Sequence, residues 1–382
     1  MHATHVMLIA VLVACGEGTA PPGDPIVPVP DDGSSYWPAA TWRVARPGAV
    51  DIDEAAVDDF VRNARRQLPA LHALLVVRYG YLAVEEYAGG SSADQLHTMQ
   101  SVSKSVTSLL MGIAADRGLV DSFDRPLLDF FPEYDDLANV DDRKRALTVR
   151  HVMQMRTGMS FWESPYEGSP LQQLNESQGD WLHLVLDRPM DGDPGATWAY
   201  NSGGVITLGG VLRAATGLAA DQFADRELFS PIGITTFSWF KGNPNGLPHM
   251  GGGLSLRAPD LARIGYLVLR RGVWAGDTIV SPARLDELTR RVTTATARYF
   301  PRDTDYGMLW WLFPRNGVTG AGSGDDYIVA ASGTGGQWLF IDRAHDLLVV
   351  FTASLNSGSW PAVQLLFDAL LPAVHPRSAS PG

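Results

Sequence analysis

The chain has 382 residues, 45% of them hydrophobic and 19% charged, with a formal net charge of −12. That size and composition suit one large domain or two lobes around a shared core. The acidic balance, without a basic run or an aromatic–basic stripe, excludes the electrostatic footprint of a nucleic-acid binder. H-E-x-x-H and paired-cysteine spacings are both missing, so the sequence points to no metal and no cofactor.

In chain order, residues 6–14 form an apolar run too short to span a bilayer, ending in Leu12-Val13-Ala14-Cys15, with Cys15 the only cysteine. This resembles the lipobox of a bacterial lipoprotein. The resemblance implies a signal peptide over 1–14, lipidation of Cys15, and a periplasmic or cell-surface location held to the membrane by that lipid. The departure is that residues 1–5 contain no Lys or Arg. Residues 15–40, rich in Pro, Gly and Asp, read as an extended tether.

A helix is expected over 53–68, with acidic residues early and Arg65-Arg66 late to match its dipole. Two β-rich runs, 73–79 and 81–87, meet at Gly80 as a hairpin. Residues 101–118 carry apolar positions at helical spacing behind a polar start. From about 120 to 237 the pattern is mostly helical, with helices at 147–155, 181–186 and 203–216. Strands return at 327–331, 337–342 and 347–352. An apolar helix at 360–374 follows, then a disordered tail over 376–382. Strands near both termini can share one antiparallel sheet flanked by helices, with the middle segment as an all-helical lobe. The expected class is α+β, over a catalytic body spanning 41–375, with a site in the cleft between lobes.

The chemistry centres on Ser101-Val102-Ser103-Lys104. Positions i and i+3 share a helix face, so the Lys104 amine falls beside the Ser101 hydroxyl. A serine hydroxyl is a poor nucleophile until something takes its proton. A helix start adds free N–H groups and partial positive charge that favour developing anions. The tetrapeptide alone is more often what a merely capped helix looks like. Two further pieces follow in order, Tyr200-Asn201-Ser202 and Thr334-Gly335-Gly336-Gln337. Together the three resemble the serine β-lactamase and penicillin-binding-protein superfamily, in its class C-like branch of esterases, D-amino-acid peptidases and 6-aminohexanoate-dimer hydrolases. Segments 147–159 and 251–263 are similar to that branch too.

The resemblance implies a β-lactamase/DD-peptidase-like fold and a role for each residue. Ser101 is the nucleophile, Lys104 the base and Tyr200 the proton relay. The backbone N–H groups of Ser101 and Gln337 form the oxyanion hole, and Ser202, Thr334, Gly335 and Gly336 contact substrate. Two positions depart from the family pattern. Gly333 precedes Thr334-Gly335 where Lys or His is usual, and Ser202 stands where an amide is usual. Both remove contacts to a β-lactam, so the expected substrates are carboxylic esters or simple amides. A cell-wall peptidase or β-lactamase is the alternative within enzymes, and a non-catalytic wall-binding module the alternative outside them. His151 and His183 read as structural polar groups. Trp198, Trp310, Trp311 and Trp338 read equally as pocket wall or as interdomain core.

Overall fold

A computed structural model describes residues 36–295, 300, 302–320, 324–355 and 360–377. The expected signal peptide, Cys15, most of the expected tether and the last five residues lie outside the described residues. Among the described residues no single helix is long and apolar enough to cross a membrane.

The architecture follows from strands at the two ends of the chain pairing with each other. Strands β1 (Leu71–Arg78), β2 (Tyr81–Tyr87), β3 (Thr293–Ala295), β4 (Thr304–Tyr306), β5 (Trp311–Pro314), β6 (Tyr327–Gly333), β7 (Gln337–Asp342) and β8 (Leu347–Ala353) form one sheet in the order β2-β1-β8-β7-β6-β5-β4-β3. All its pairings are antiparallel, and β1 lies against β8 with Leu74 opposite Phe351 and Arg78 opposite Leu347. Every residue of β7 and β8 is buried, because helices cover both faces of the sheet. Helix α1 (Glu54–Gln67) sets Phe60 against Phe351 on one face. On the other, helix α4 (Ala258–Leu269) has Gly265 where a Cβ would stand 2.6 Å from Leu339. Trp338 and Leu339 alternate across the pleat, which is why one strand serves both layers.

The first helices appear where the sequence places them. Asp53 caps α1 by accepting from the Ala56 N–H. Helix α2 (Val102–Asp116) starts one residue past Ser101, and helix α3 (Ser202–Thr216) is capped by Asn201. Three strands of the sheet, β3 to β5, are additions that the sequence pattern did not show. Each has only three or four residues, too few for a period to register. A second, three-stranded sheet of His97–Thr98, Leu254–Leu256 and Phe237–Trp239 flanks the region read as helical and was missed for the same reason.

Helix α2 packs between the sheet and α3, so its polar first turns are buried rather than wet. Their hydroxyls are all engaged. Ser105 Oγ donates to Leu309 O at 2.7 Å and Ser108 Oγ to Met308 O at 2.7 Å. Thr107 Oγ1 reaches Met250 O at 3.1 Å, and Ser103 Oγ accepts from the Leu254 N–H at 3.2 Å. The run of serines that looks like a solvated helix start is a row of ties to two neighbouring loops. Replacing Ser108 with Ala leaves a buried carbonyl without its donor, and a cost of about 1–3 kcal/mol is expected. Urea unfolding of Ser108→Ala against wild type reads this directly.

Candidate active site

Ser101 sits at the mouth of α2, after a turn in which Gln100 adopts φ 49°. The turn is closed by bonds from the Val102 N–H to Met99 O at 3.1 Å and from the Ser103 N–H to Gln100 O at 3.0 Å. One helical turn on, Lys104 Nζ donates to Ser101 Oγ at 2.9 Å and to Gly251 O at 2.6 Å. Lys104 is 2% exposed. Its amine also lies 4.7 Å from the centre of the Tyr200 ring. Burial disfavours the ammonium form and pulls its pKa down to about 8, against the opposing attraction of Glu163.

Tyr200 is held by a scaffold that starts in the 147–159 segment. The Ala199 N–H donates to Met155 O at 2.8 Å, and the Asn201 N–H contacts Met155 Sδ at 3.2 Å. Met155 itself has φ 56°. Trp311 stacks on the Tyr200 ring with centroids 6.0 Å apart and planes at 17°, and Trp198 meets both rings. Trp198 and Trp311 therefore adjoin Tyr200, whereas Trp310 and Trp338 are fully buried core.

The Tyr-Asn-Ser order has a structural cause. Asn201 is buried, its Oδ1 accepts from the Gly204 N–H at 2.7 Å, and its Nδ2 donates to Thr157 Oγ1 at 3.2 Å. The amide is thus fixed as the cap of α3. Ser202, the first residue of the helix, packs against Gly251, where a Cβ would stand 3.2 Å from Ser202 Cβ. The Ser202 N–H donates to Glu163 Oε1.

The third motif is the tip of the β6–β7 hairpin. Gly333 pairs with Gln337, Thr334 is exposed, and Gly335 and Gly336 turn the chain with φ of +87° and +96° that other residues rarely adopt. A Cβ at Gly333 would lie 2.3 Å from Met99 O and 3.0 Å from Gln100 Cβ. The hairpin therefore rests directly on the turn that presents Ser101. The glycine at 333 is therefore also a packing requirement, since a side chain there would need the turn to move. The Gln337 side chain is engaged by Ala353, its Nε2 donating to the carbonyl and its Oε1 accepting from the N–H at 3.4 Å. Only the backbone of Gln337 is left for another role.

Three contributors escaped the sequence reading. Gly251 O and Glu163 reach Lys104 or its neighbours across long stretches of chain, so no local pattern announces them. The G-G-G-L-S-L segment did mark Gly251 as part of a familiar stretch. His249 is the third: burial, reinforced by Lys104, drives its pKa down to about 4, so it adds no positive charge to the site at neutral pH. Among the described residues, no group of three or more His, Cys, Asp or Glu side chains could hold a metal ion.

With this geometry in view, the β-lactamase family model matches residues 57–370. The chain belongs to the β-lactamase family. This β-lactamase-family hydrolase is similar to 6-aminohexanoate-dimer hydrolase of Paenarthrobacter ureafaciens, with 26% identity over 305 residues, 76% of this chain and 72% of that one. Esterase EstB of Burkholderia gladioli is 25% identical over 222 residues, 52% of this chain and 55% of that one. In fold it is similar to the β-lactamase/D-alanine carboxypeptidase of Pseudomonas syringae. That match has a TM-score of 0.65 and 15% identity, over 85% of this chain and 99% of that one. The α+β, β-lactamase/DD-peptidase-like fold expected from the motifs is the one observed.

The buried Lys104 makes a signed prediction about stability. Its folded pKa of about 8 lies below the free value of 10.5. Below pH 8 the lysine is charged in both states and the full burial penalty, ~3 kcal/mol, weighs on the folded state. As pH rises from 8 towards 10.5 the penalty fades. Lys104→Met is therefore expected to gain most, relative to wild type, near pH 6–7, with the difference shrinking by pH 10. Denaturant unfolding at pH 6, 8 and 10 checks it, and a pH-independent difference contradicts it.

Proposed function

We propose that this hydrolase acts through an acyl-enzyme on Ser101 and cleaves carboxylic esters or simple amides. The observation that carries the reading is the buried Lys104 amine 2.9 Å from Ser101 Oγ. A lysine with a pKa near 8 is partly neutral at physiological pH, and its lone pair can then take the hydroxyl proton. Ser101 Oγ attacks the carbonyl carbon as its proton passes to Lys104 Nζ. The tetrahedral oxyanion is held by the backbone N–H groups of Ser101 and Gln337, donors that contribute a few kcal/mol each in such sites. The proton then moves through Tyr200 to the leaving alkoxide or amine, and the C–O or C–N bond breaks. Water attacks the acyl-enzyme, its proton returns through the same groups, and a carboxylic acid leaves with the Ser101 hydroxyl restored.

The ester or amide preference draws on the relatives and on the second motif. One relative is named as a 6-aminohexanoate-dimer hydrolase and another as an esterase. The Asn201 amide is locked as a helix cap, so the second motif offers a small hydroxyl, Ser202, in its usual place. Ser202, Thr334, Gly335 and Gly336 then form the substrate wall between α3 and the hairpin tip.

The test is turnover of p-nitrophenyl butyrate by the full chain. Ser101→Ala is expected to lose at least ~10³-fold in kcat/KM, and Tyr200→Phe ~10²-fold or more. Wild-type kcat/KM should rise about tenfold per pH unit and level off near pH 8, as Lys104 loses its proton. A midpoint near the ordinary histidine value of ~6.5 would point to a different base. Turnover unchanged in Ser101→Ala removes the acyl-enzyme reading, and consumption of penicillin in preference to esters moves the substrate class to β-lactams.

A further inference from the structure

At the opposite end of the sheet from Ser101 lies a cavity of about 620 Å³ whose wall includes Arg271, Asp286, Arg290, Arg291, Asp325 and Arg343. Four guanidiniums and two carboxylates give the wall a local charge of +2 (4 − 2), in a chain whose net charge is −12. Strand β7 separates the two places, with Gln337 at its start and Arg343 just past its end. Six residues of extended chain cover ~20 Å, so the occupant of this cavity is not the molecule acylated at Ser101.

The arginines are under-neutralised. Arg271 Nη2 pairs with Asp286 Oδ2 at 2.6 Å, and Arg343 Nη1 leans on the other oxygen of the same carboxylate at 3.5 Å. Arg291 is turned to Asp305 behind the wall at 3.1 Å. Arg290 makes no side-chain hydrogen bond or ion pair among the described residues. The Arg343 side chain is only 7% exposed, its Nη2 reaches Val268 O at 3.5 Å, and its Nε has no partner. Burying a guanidinium with an unmet N–H is costly. Burial, then the neighbouring Arg271, presses the Arg343 pKa downward, and the opposing pull of Asp286 and Asp325 does not make up the difference. A planar fork of N–H donors matches the oxygens of a phosphoryl group, and the volume is in the range of small-molecule sites.

We propose that this cavity is an anion site, built to take a phosphoryl group between Arg271, Arg290 and Arg343. The group can arrive on a free phosphate compound or on a lipid headgroup, and the experiment separates the two. It is independent of the chemistry assigned to Ser101.

The test uses the full chain at constant ionic strength. In one arm, 1 mM inorganic pyrophosphate is added and thermal unfolding is followed, with a rise of about 3 °C expected. In the other, co-sedimentation with phosphatidylglycerol vesicles is compared with phosphatidylcholine vesicles. Arg290→Ala is the deciding variant because its side chain holds nothing in the fold, and Arg271→Ala is the second. A pyrophosphate shift lost in both variants supports a soluble phosphate ligand. Phosphatidylglycerol binding lost in both, without a pyrophosphate shift, supports a headgroup. Ester turnover stays at the wild-type level in either case. No response in either arm, or a response that both variants retain, overturns the proposal.

Discussion

A lysine amine buried without a carboxylate beside it is the constraint on which the site turns. Among the described residues, no acidic side chain forms an ion pair with Lys104, whose bonds go to the Ser101 hydroxyl and the Gly251 carbonyl. A directly paired lysine would stay charged and could not act as a base. Glu163 supplies a weaker attraction while its carboxylate is held by the Ser202 N–H. The balance leaves Lys104 near the pH at which it can exchange a proton. The fold bears a stability cost to keep it there, as functional sites commonly do.

The rest of the structure fixes the partners of that amine. The hydroxyls of Ser103, Ser105, Thr107 and Ser108 tie α2 to the loops carrying Met250 and Met308, so the helix cannot slide. Gly333 lets the β6–β7 hairpin sit on the Met99–Gln100 turn, bringing a strand edge to the nucleophile. Asn201 anchors the start of α3 and so places Tyr200 over the lysine. Three separate stretches of chain converge, held by short side chains on backbone groups and by close packing rather than by long flexible side chains. Such rigid placement is what acyl-transfer chemistry needs.

Much of this was legible in the sequence where the signal is local. The i, i+3 spacing of Ser101 and Lys104 determines their proximity once the helix exists, and the 81–87, 337–342 and 347–352 strands stand out as β-branched or apolar runs. Non-local contacts were not legible. Gly333 read as a missing cation, but nothing in Ser332-Gly333-Thr334 reveals that Met99 O also occupies the side-chain position. Glu163 and Gly251 lie far from Lys104 in sequence, and although Gly251 opens a familiar segment, nothing local shows that its carbonyl takes the lysine. Strands β3 to β5 are too short for a period, and the four arginines of the second cavity come from three separate segments that only the folded chain brings together.

The chain contains three lysines, Lys104, Lys144 and Lys241, so the central claim can be read without reference to turnover. Protein labelled with [6-¹³C]lysine gives three side-chain signals that can be followed by NMR across pH. Lys144 is also buried, bonded to Leu186 O and Arg188 O, and lowered to about 8, so the Lys104 signal is assigned by its loss in Lys104→Met. The account predicts that this signal titrates near pH 8. A midpoint at the ordinary lysine value of ~10.4 or above would contradict it, since Lys104 would then be charged wherever the enzyme works.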